Sequence, residues 1–290
     1  MAKEKKRKQK GKQPKQSQGK TMAERADRHV LYEKAVQAPD VEVEFLSNTY
    51  QQLRGRPALS LKEDFCGTAS VAATWCQSDP AREAIGVDIC TDTLAWGKLN
   101  NVEAAGDDVA SRVTLLNADV REVFSPQVDI TCAFNFSYCL FETRAELRRY
   151  FEGARRGLKP DGLLFLDLFG GTEAYQATTE ETRLRGQKAT YVWEQASFNP
   201  ITHHMDCFIH FDFDDGSRLE KAFSYSWRMW ILPEIKELLF EAGFSKVHVY
   251  WERYEEGDED DEYMEGTGEY YEVEEVETQE SWLSYIVAEV

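Results

Sequence analysis

Leu61-Lys62-Glu63-Asp64-Phe65-Cys66-Gly67-Thr68-Ala69 is the stretch on which the reading of this chain turns. It follows a short apolar run, Ala58–Leu61, and precedes a helical stretch, Thr68–Ser78. A glycine between a strand and a helix lets backbone come close to a ligand, and the first turn of the helix offers unpaired N–H groups. Roughly 25 residues on, a second apolar run, Ala84–Ile89, ends in Gly86-Val87-Asp88. An acid at the end of the second strand suits the two hydroxyls of a ribose. A third run, Val113–Leu116, leads into Asn117-Ala118-Asp119-Val120, placed to face an adenine amino group. The three segments are expected at the carboxyl ends of neighbouring strands, where open α/β sheets bind their ligands.

Further along, Val128–Phe134 and Leu163–Leu168 are two more strand-like runs. Thr91–Ala105 and Thr143–Leu158 are helical stretches, the latter with a stripe of Leu147, Tyr150, Phe151, Ala154 and Leu158. Lys159-Pro160-Asp161-Gly162 ends it as a turn. Runs and helices in alternation predict a parallel sheet covered on both faces. Upstream, Met22–Leu53 reads as helical with a break at Pro39. After Gly171 the period changes to two. Tyr191 and Trp193, then Cys207, Ile209, Phe211 and Phe213, then Phe223, Tyr225, Trp227 and Met229 predict a three-stranded antiparallel insertion over residues 189–230. Pro233 opens a helix closed by Gly243, and Lys246–Trp251 and Trp282–Val287 are the last strands.

The quoted segments resemble the class I S-adenosylmethionine-dependent methyltransferases. Cys66-Gly67-Thr68 is similar to the centre of their first motif, Asp88 to their ribose-binding acid and Asp119-Val120 to their adenine-binding pair. Asn135-Phe136-Ser137-Tyr138 falls at their fourth motif, and Leu158-Lys159-Pro160-Asp161-Gly162 is like the turn before their fifth strand. The resemblance covers roughly residues 40–290. Glu63 stands where that family often has Asp, and Phe65 and Ala69 stand where it usually has Gly. Only Gly67 is present of the Gly-x-Gly-x-x-Gly that a nicotinamide-binding Rossmann protein would show. The resemblance implies a Rossmann-like seven-stranded α/β sheet with helices on both faces, the antiparallel insertion, and S-adenosyl-L-methionine as cofactor. It places the cofactor against Glu63 (with Asp64 as the alternative acid), Cys66, Gly67, Thr68, Asp88, Ile89, Asp119, Val120 and Asn135. Tyr32, beside Arg28 and His29 in the helical lead-in, either covers the cofactor or belongs to a helix that only packs on the sheet.

For the acceptor, Asn135 and Tyr138 of the fourth motif are expected to face the methyl group, with Tyr138 the first candidate for a base. His210 and Arg228 of the insertion are the further candidates, Arg228 as a clamp for a substrate carboxylate. A solvated sheet face is their alternative. His203, His204, Asp206 and His210 form too loose a ligand set to be read as a metal site. Cys66 is read as packing, and the six cysteines show no Cys-x-x-Cys pair.

An apolar fraction of 42% with 30% charged residues is that of a soluble globular chain. Without an apolar leader or a membrane-length run, it reads as cytoplasmic. The net charge of −18 conceals two opposite runs. Residues 1–20 carry nine Lys or Arg against one Glu and are expected to be a disordered basic arm before a methyltransferase domain over residues 21–290. Residues 252–280 carry fifteen Asp or Glu against one Arg and are expected to form an acidic loop. A small-molecule N- or O-methyltransferase is the favoured function. The alternatives are an RNA or protein methyltransferase gripping phosphate through the arm, or a binding protein that keeps the fold without turnover.

Overall fold

The computed structural model describes residues 19–255 and 265–290. Most of the basic arm, residues 1–18, and the centre of the acidic run, residues 256–264, lie outside them. Two helices come first, α1 (Arg28–Val36) and α2 (Pro39–Arg54), separated at the predicted proline. Asp27 caps α1, accepting from the His29 and Val30 N–H groups. The α/β alternation follows: β1 (Ser60–Asp64), α3 (Ser70–Ser78), β2 (Glu83–Asp88), α4 (Thr91–Gly97), α5 (Asp107–Arg112), β3 (Val113–Asn117), β4 (Val128–Ala133), α6 (Arg144–Arg156) and β5 (Leu158–Gly170). A π-turn at Lys98–Val102 continues α4, and α5 had no signal in the apolar pattern because it buries only Val109.

The remaining elements are β6 (Thr178–Arg183), β7 (Ala189–Phe198), β8 (His204–Phe213), β9 (Arg218–Arg228), α7 (Leu232–Glu241), β10 (Lys246–Glu255), β11 (Glu265–Glu272) and β12 (Trp282–Glu289). The main sheet has the order β11-β10-β12-β5-β4-β1-β2-β3, with β12 antiparallel to both of its neighbours. It has eight strands where seven are expected, because β11 forms within the acidic run. There Tyr270 packs on Tyr285 and Phe45 at 4.6 and 5.4 Å, while Glu272 accepts a hydrogen bond from His248 at 2.6 Å. The Lys159–Gly162 turn is a bulge at the start of β5, across which the pairing with β4 shifts.

The insertion is also one strand larger than its apolar alternation indicated, a four-stranded sheet β6-β7-β8-β9. β6 is almost wholly exposed and polar, so it carries no hydrophobic stripe.

Neighbouring residues on β1 serve opposite faces. Glu63 accepts from the Ala72 N–H of α3 at 2.8 Å, while Lys62 and Asp64 pair at 3.3 Å on the α6 side, where the Tyr150 hydroxyl donates to Asp64 at 3.1 Å. Burial raises the Asp64 carboxyl to about 6 against the opposing charge of Lys62. At the amino end of the strands Asp129 is buried and accepts from Leu59 N, Ser60 N, Arg56 and Lys159. Burial alone would raise its pKa, but these bonds outweigh it and hold the carboxyl well below the usual range. The Asp129 network thus ties β1, β4 and β5 together at the amino end of the sheet.

Candidate active site

The loop after β1 turns through three left-handed residues, Phe65, Gly67 and Ala69, each with φ between 52° and 56°. For a non-glycine residue this costs on the order of 1–2 kcal/mol. Phe65 offsets the strain by placing its ring 5.5 Å from Tyr150 and 5.9 Å from Phe141. That explains how a bulky residue stands where the resembled family has glycine. At Gly67 a side chain would meet nothing within 4 Å, so the backbone there faces open space. The Gly67 N–H donates to one Asp88 oxygen at 2.9 Å and the Cys90 N–H to the other at 2.7 Å. Asn117 donates to the Asp88 and Ile89 carbonyls and joins the ends of β2 and β3. Ile89 is 76% exposed, an apolar surface at the mouth of the site.

The sequence candidates for the cofactor are therefore brought together at the carboxyl ends of β1, β2 and β3, with two qualifications. Asp64 points to the opposite side of the sheet, which leaves Glu63 as the acid on the α3 side. Asp119 caps the turn Val120–Glu122 and is held by the Arg121 guanidinium at 2.6 Å. Cys66 is buried, bonds through its N–H to Val87 O and has its thiol pushed up by burial, as packing requires. α1 closes over this loop. Glu33 accepts from the Thr68 hydroxyl and from Asn101, both at 2.7 Å, and Gln37 accepts from Ser70 at 2.8 Å. Gly97 of α4 lets the Thr68 carbonyl approach to where any Cβ would lie 2.2 Å away. Glu33, Asn101 and Gly97 had no sequence signal, since each acts across a long sequence separation.

The fourth-motif loop is built by a residue the sequence reading passed over. Asp167, in the middle of the apolar run of β5, accepts from Asn135 N at 2.6 Å and Phe136 N at 2.9 Å. Both residues are left-handed, and the carboxylate fixes them. Burial raises the Asp167 carboxyl to about 7 against the pull of these bonds. An acid inside Leu163–Leu168 was the signal available.

Tyr138 does not serve as a base. It is fully buried, its hydroxyl donates to the Asp167 carbonyl at 2.6 Å, and burial pushes its phenol well above the ordinary value. The 3-10 turn after the two left-handed residues points the ring back into the core.

A cavity of about 340 Å³ opens between this loop, α1 and the inner face of the insertion. Asn135, Phe136 and Phe169 form its floor, and Tyr32 closes one side. Trp193, Tyr225 and Trp227 line the insertion side, with Tyr225 and Trp227 4.5 Å apart. Glu173 and Glu180 are the charged residues lining it; no lysine, arginine or histidine does so among the described residues. Gln195 holds the overlying segment by donating to the Ala174 and Gln176 carbonyls at 2.9 Å.

His210 and Arg228 lie outside this cavity, on the opposite face of the insertion. His210 bonds Glu194 at 2.8 Å and accepts from Lys221 N. Arg228 donates to Glu234 at 2.8 Å and stacks on Trp230 at 3.8 Å. The large apolar stripe of each strand takes the pocket side, so both polar candidates fall outward. His204 bonds Ser226 at 2.9 Å, separately from His210.

Residues 64–166 match a family model for the methyltransferase domain. Among solved structures, a methyltransferase from Clostridium acetobutylicum superposes with a TM-score of 0.63 at 13% identity, over 90% of this chain and 96% of that one. The amino pentose methyltransferase CalS10 from Micromonospora echinaspora gives 0.62 at 15% identity over 90% and 96%. The sugar N-methyltransferase KedS8 from a Streptoalloteichus species gives 0.60 at 15% identity over 97% and 98%. No curated protein matches the chain by sequence. Residues 64–166 thus match a methyltransferase domain, and the chain as a whole shares the fold of S-adenosylmethionine-dependent methyltransferases. Among the described residues no helix is long and apolar enough to cross a membrane.

Proposed function

We propose that this methyltransferase acts on the nitrogen of a small-molecule amine. The observation that carries the reading is the cavity itself: aromatic walls, two glutamates and no cation. A carboxylate acceptor would find no partner there. An ammonium would be drawn to Glu173 and Glu180 and to the faces of Trp193 and Trp227, a contact worth roughly 0.5–2 kcal/mol. The sugar N-methyltransferase among the structural neighbours supports a nitrogen acceptor, and the amino pentose methyltransferase supports a small one that carries an amine.

Residues fit the cofactor at several points. Asp88 offers its carboxylate to the ribose hydroxyls, exposed Ile89 offers a surface to the adenine, and Gly67 leaves room for close approach. When bound, the cofactor supplies a methyl group on a positively charged sulfur, the reactive part of the chemistry. Asn135 and Phe136 stand where the acceptor pocket meets the cofactor loops, so they align the incoming nitrogen for in-line attack. The acceptor must shed a proton before or during attack. The tyrosines of the pocket are poor bases, since burial pushes Tyr32 to about 12 and raises Tyr191 and Tyr225 as well. Exposed Glu173 and Glu180, or water beside them, are left to receive the proton.

The test is transfer of isotopically labelled methyl from S-adenosylmethionine to metabolite and macromolecular fractions of a cell extract. The reading requires label in small molecules whose product is an N-methyl amine. Label confined to RNA, protein or carboxyl groups would overturn it.

A further inference from the structure

Five carboxylates are buried among the described residues: Glu42, Glu63, Asp64, Asp129 and Asp167. Four of them are met by donors. Glu63 has the Ala72 N–H, Asp64 has Lys62 and Tyr150, Asp129 has its network, and Asp167 has the Asn135 and Phe136 N–H groups. Glu42 is 6% exposed, has no ion pair among the described residues, and its Oε2 has no hydrogen-bond partner. An unmet buried carboxylate oxygen is costly, and such a group calls for an explanation.

Its place in the fold supplies one. α2 ends close to the start of β1, so its first turn, which holds Glu42, lies at the carboxyl end of the sheet. The groups whose charges bear on it come from every element around that end: Asp167 on β5, Glu63 on β1, Tyr32 on α1, Cys132 on β4 and Tyr285 on β12. None of these is a cation. Glu63 starts the cofactor loop and Asp167 holds the fourth-motif loop, so the three acids surround the place where these loops meet.

We propose that Glu42 is a cofactor-binding residue whose carboxylate receives the α-ammonium group of the cofactor's amino-acid tail. The assignment rests on the cofactor site described above and names a contact within it. A cationic nitrogen with three N–H donors satisfies the unmet oxygen and offsets the mutual repulsion of Glu42, Glu63 and Asp167. Burial, reinforced by the charge of Asp167, lifts the Glu42 carboxyl to about 8 in the free protein, so at pH 7 it is mostly protonated. Arrival of the ammonium favours the carboxylate, and the displaced proton goes to the buffer.

Two ligands separate this contact from the rest of the site. S-Adenosylhomocysteine keeps the ammonium and lacks the sulfonium, and 5′-methylthioadenosine lacks both. Calorimetry at pH 7, with wild type and Glu42→Gln and in buffers of different ionisation enthalpy, reads the outcome. Glu42→Gln is expected to weaken S-adenosylhomocysteine ten- to hundredfold and to leave 5′-methylthioadenosine within twofold. The wild type should release more protons on binding S-adenosylhomocysteine than the variant, by close to one. S-Adenosylhomocysteine affinity within twofold of wild type would overturn the assignment, as would equal weakening of both ligands. Failure of the wild type to bind either ligand would instead sink the cofactor site, and the role of Glu42 with it.

Discussion

A carboxyl group lifted from its ordinary value of 4.5 to about 8 is a cost to the fold, and at Glu42 its size can be worked out. Because the folded state holds the proton more tightly, the associated stability is complete below the unfolded pKa and is lost as pH rises from about 4.5 to 8. At 1.36 kcal/mol per unit, the loss is roughly 3 kcal/mol at pH 7 and approaches ~4–5 kcal/mol above pH 8. Asp64, Glu63 and Asp167 are raised in the same direction, so the wild-type curve falls more steeply than Glu42 alone would make it. Glu42→Gln keeps the shape and removes the titration. The difference between the two proteins therefore isolates this residue. Urea denaturation of the cofactor-free protein at pH 5, 6, 7 and 8 is the assay. The variant should match wild type to within about 1 kcal/mol at pH 5 and exceed its stability by about 3 kcal/mol at pH 7 and about 4 kcal/mol at pH 8. Parallel curves from pH 5 to 8 would refute the reasoning, since they would mean that Glu42 is ordinarily solvated or already paired.

Three other substitutions probe separate parts of the structure. Lys62→Met strands the buried Asp64 carboxylate and should cost about 3–5 kcal/mol by denaturant midpoint at neutral pH; a loss below 1 kcal/mol would show that the pair is not buried as described. Trp193→Ala and Trp227→Ala should each raise the KM for the amine acceptor at least tenfold, with S-adenosylhomocysteine affinity by calorimetry unchanged within twofold; a fall in cofactor affinity instead would place the acceptor elsewhere. Glu33→Ala removes the bonds by which α1 holds Thr68 of the cofactor loop and Asn101, and should weaken cofactor binding about tenfold, ~1.4 kcal/mol; unchanged affinity would make α1 only a packing helix.

The parts of this site that act through local chain geometry were legible in the sequence. Gly67, Asp88 and Asp119 sit at strand-to-helix junctions, and a junction can be read from apolar runs and the residues that interrupt them. Side-chain direction was harder. The alternation in β8 and β9 correctly put His210 and Arg228 on the faces opposite the apolar stripes, but not which face meets the cavity. Aromatic residues line it here, so the polar candidates were misplaced. Tyr138 was misread because its hydroxyl turns inward after two left-handed residues, and an unfamiliar loop of that kind leaves no periodic trace. β11 was hidden by its own acids, whose partners are the distant His248 and the edge of β10. Glu33 and Glu42 look like ordinary helix-surface glutamates until α1 and α2 are folded onto the sheet.

We propose that a nucleoside cofactor lies across the carboxyl ends of β1, β2 and β3 with its ribose on Asp88. Titration calorimetry of S-adenosylmethionine into wild type and Asp88→Ala tests it most directly. Loss of a charge-assisted pair, ~1.5–3 kcal/mol, predicts an affinity ten- to hundredfold weaker in a variant that circular dichroism shows to be folded. Equal affinity in the two folded proteins would contradict the account.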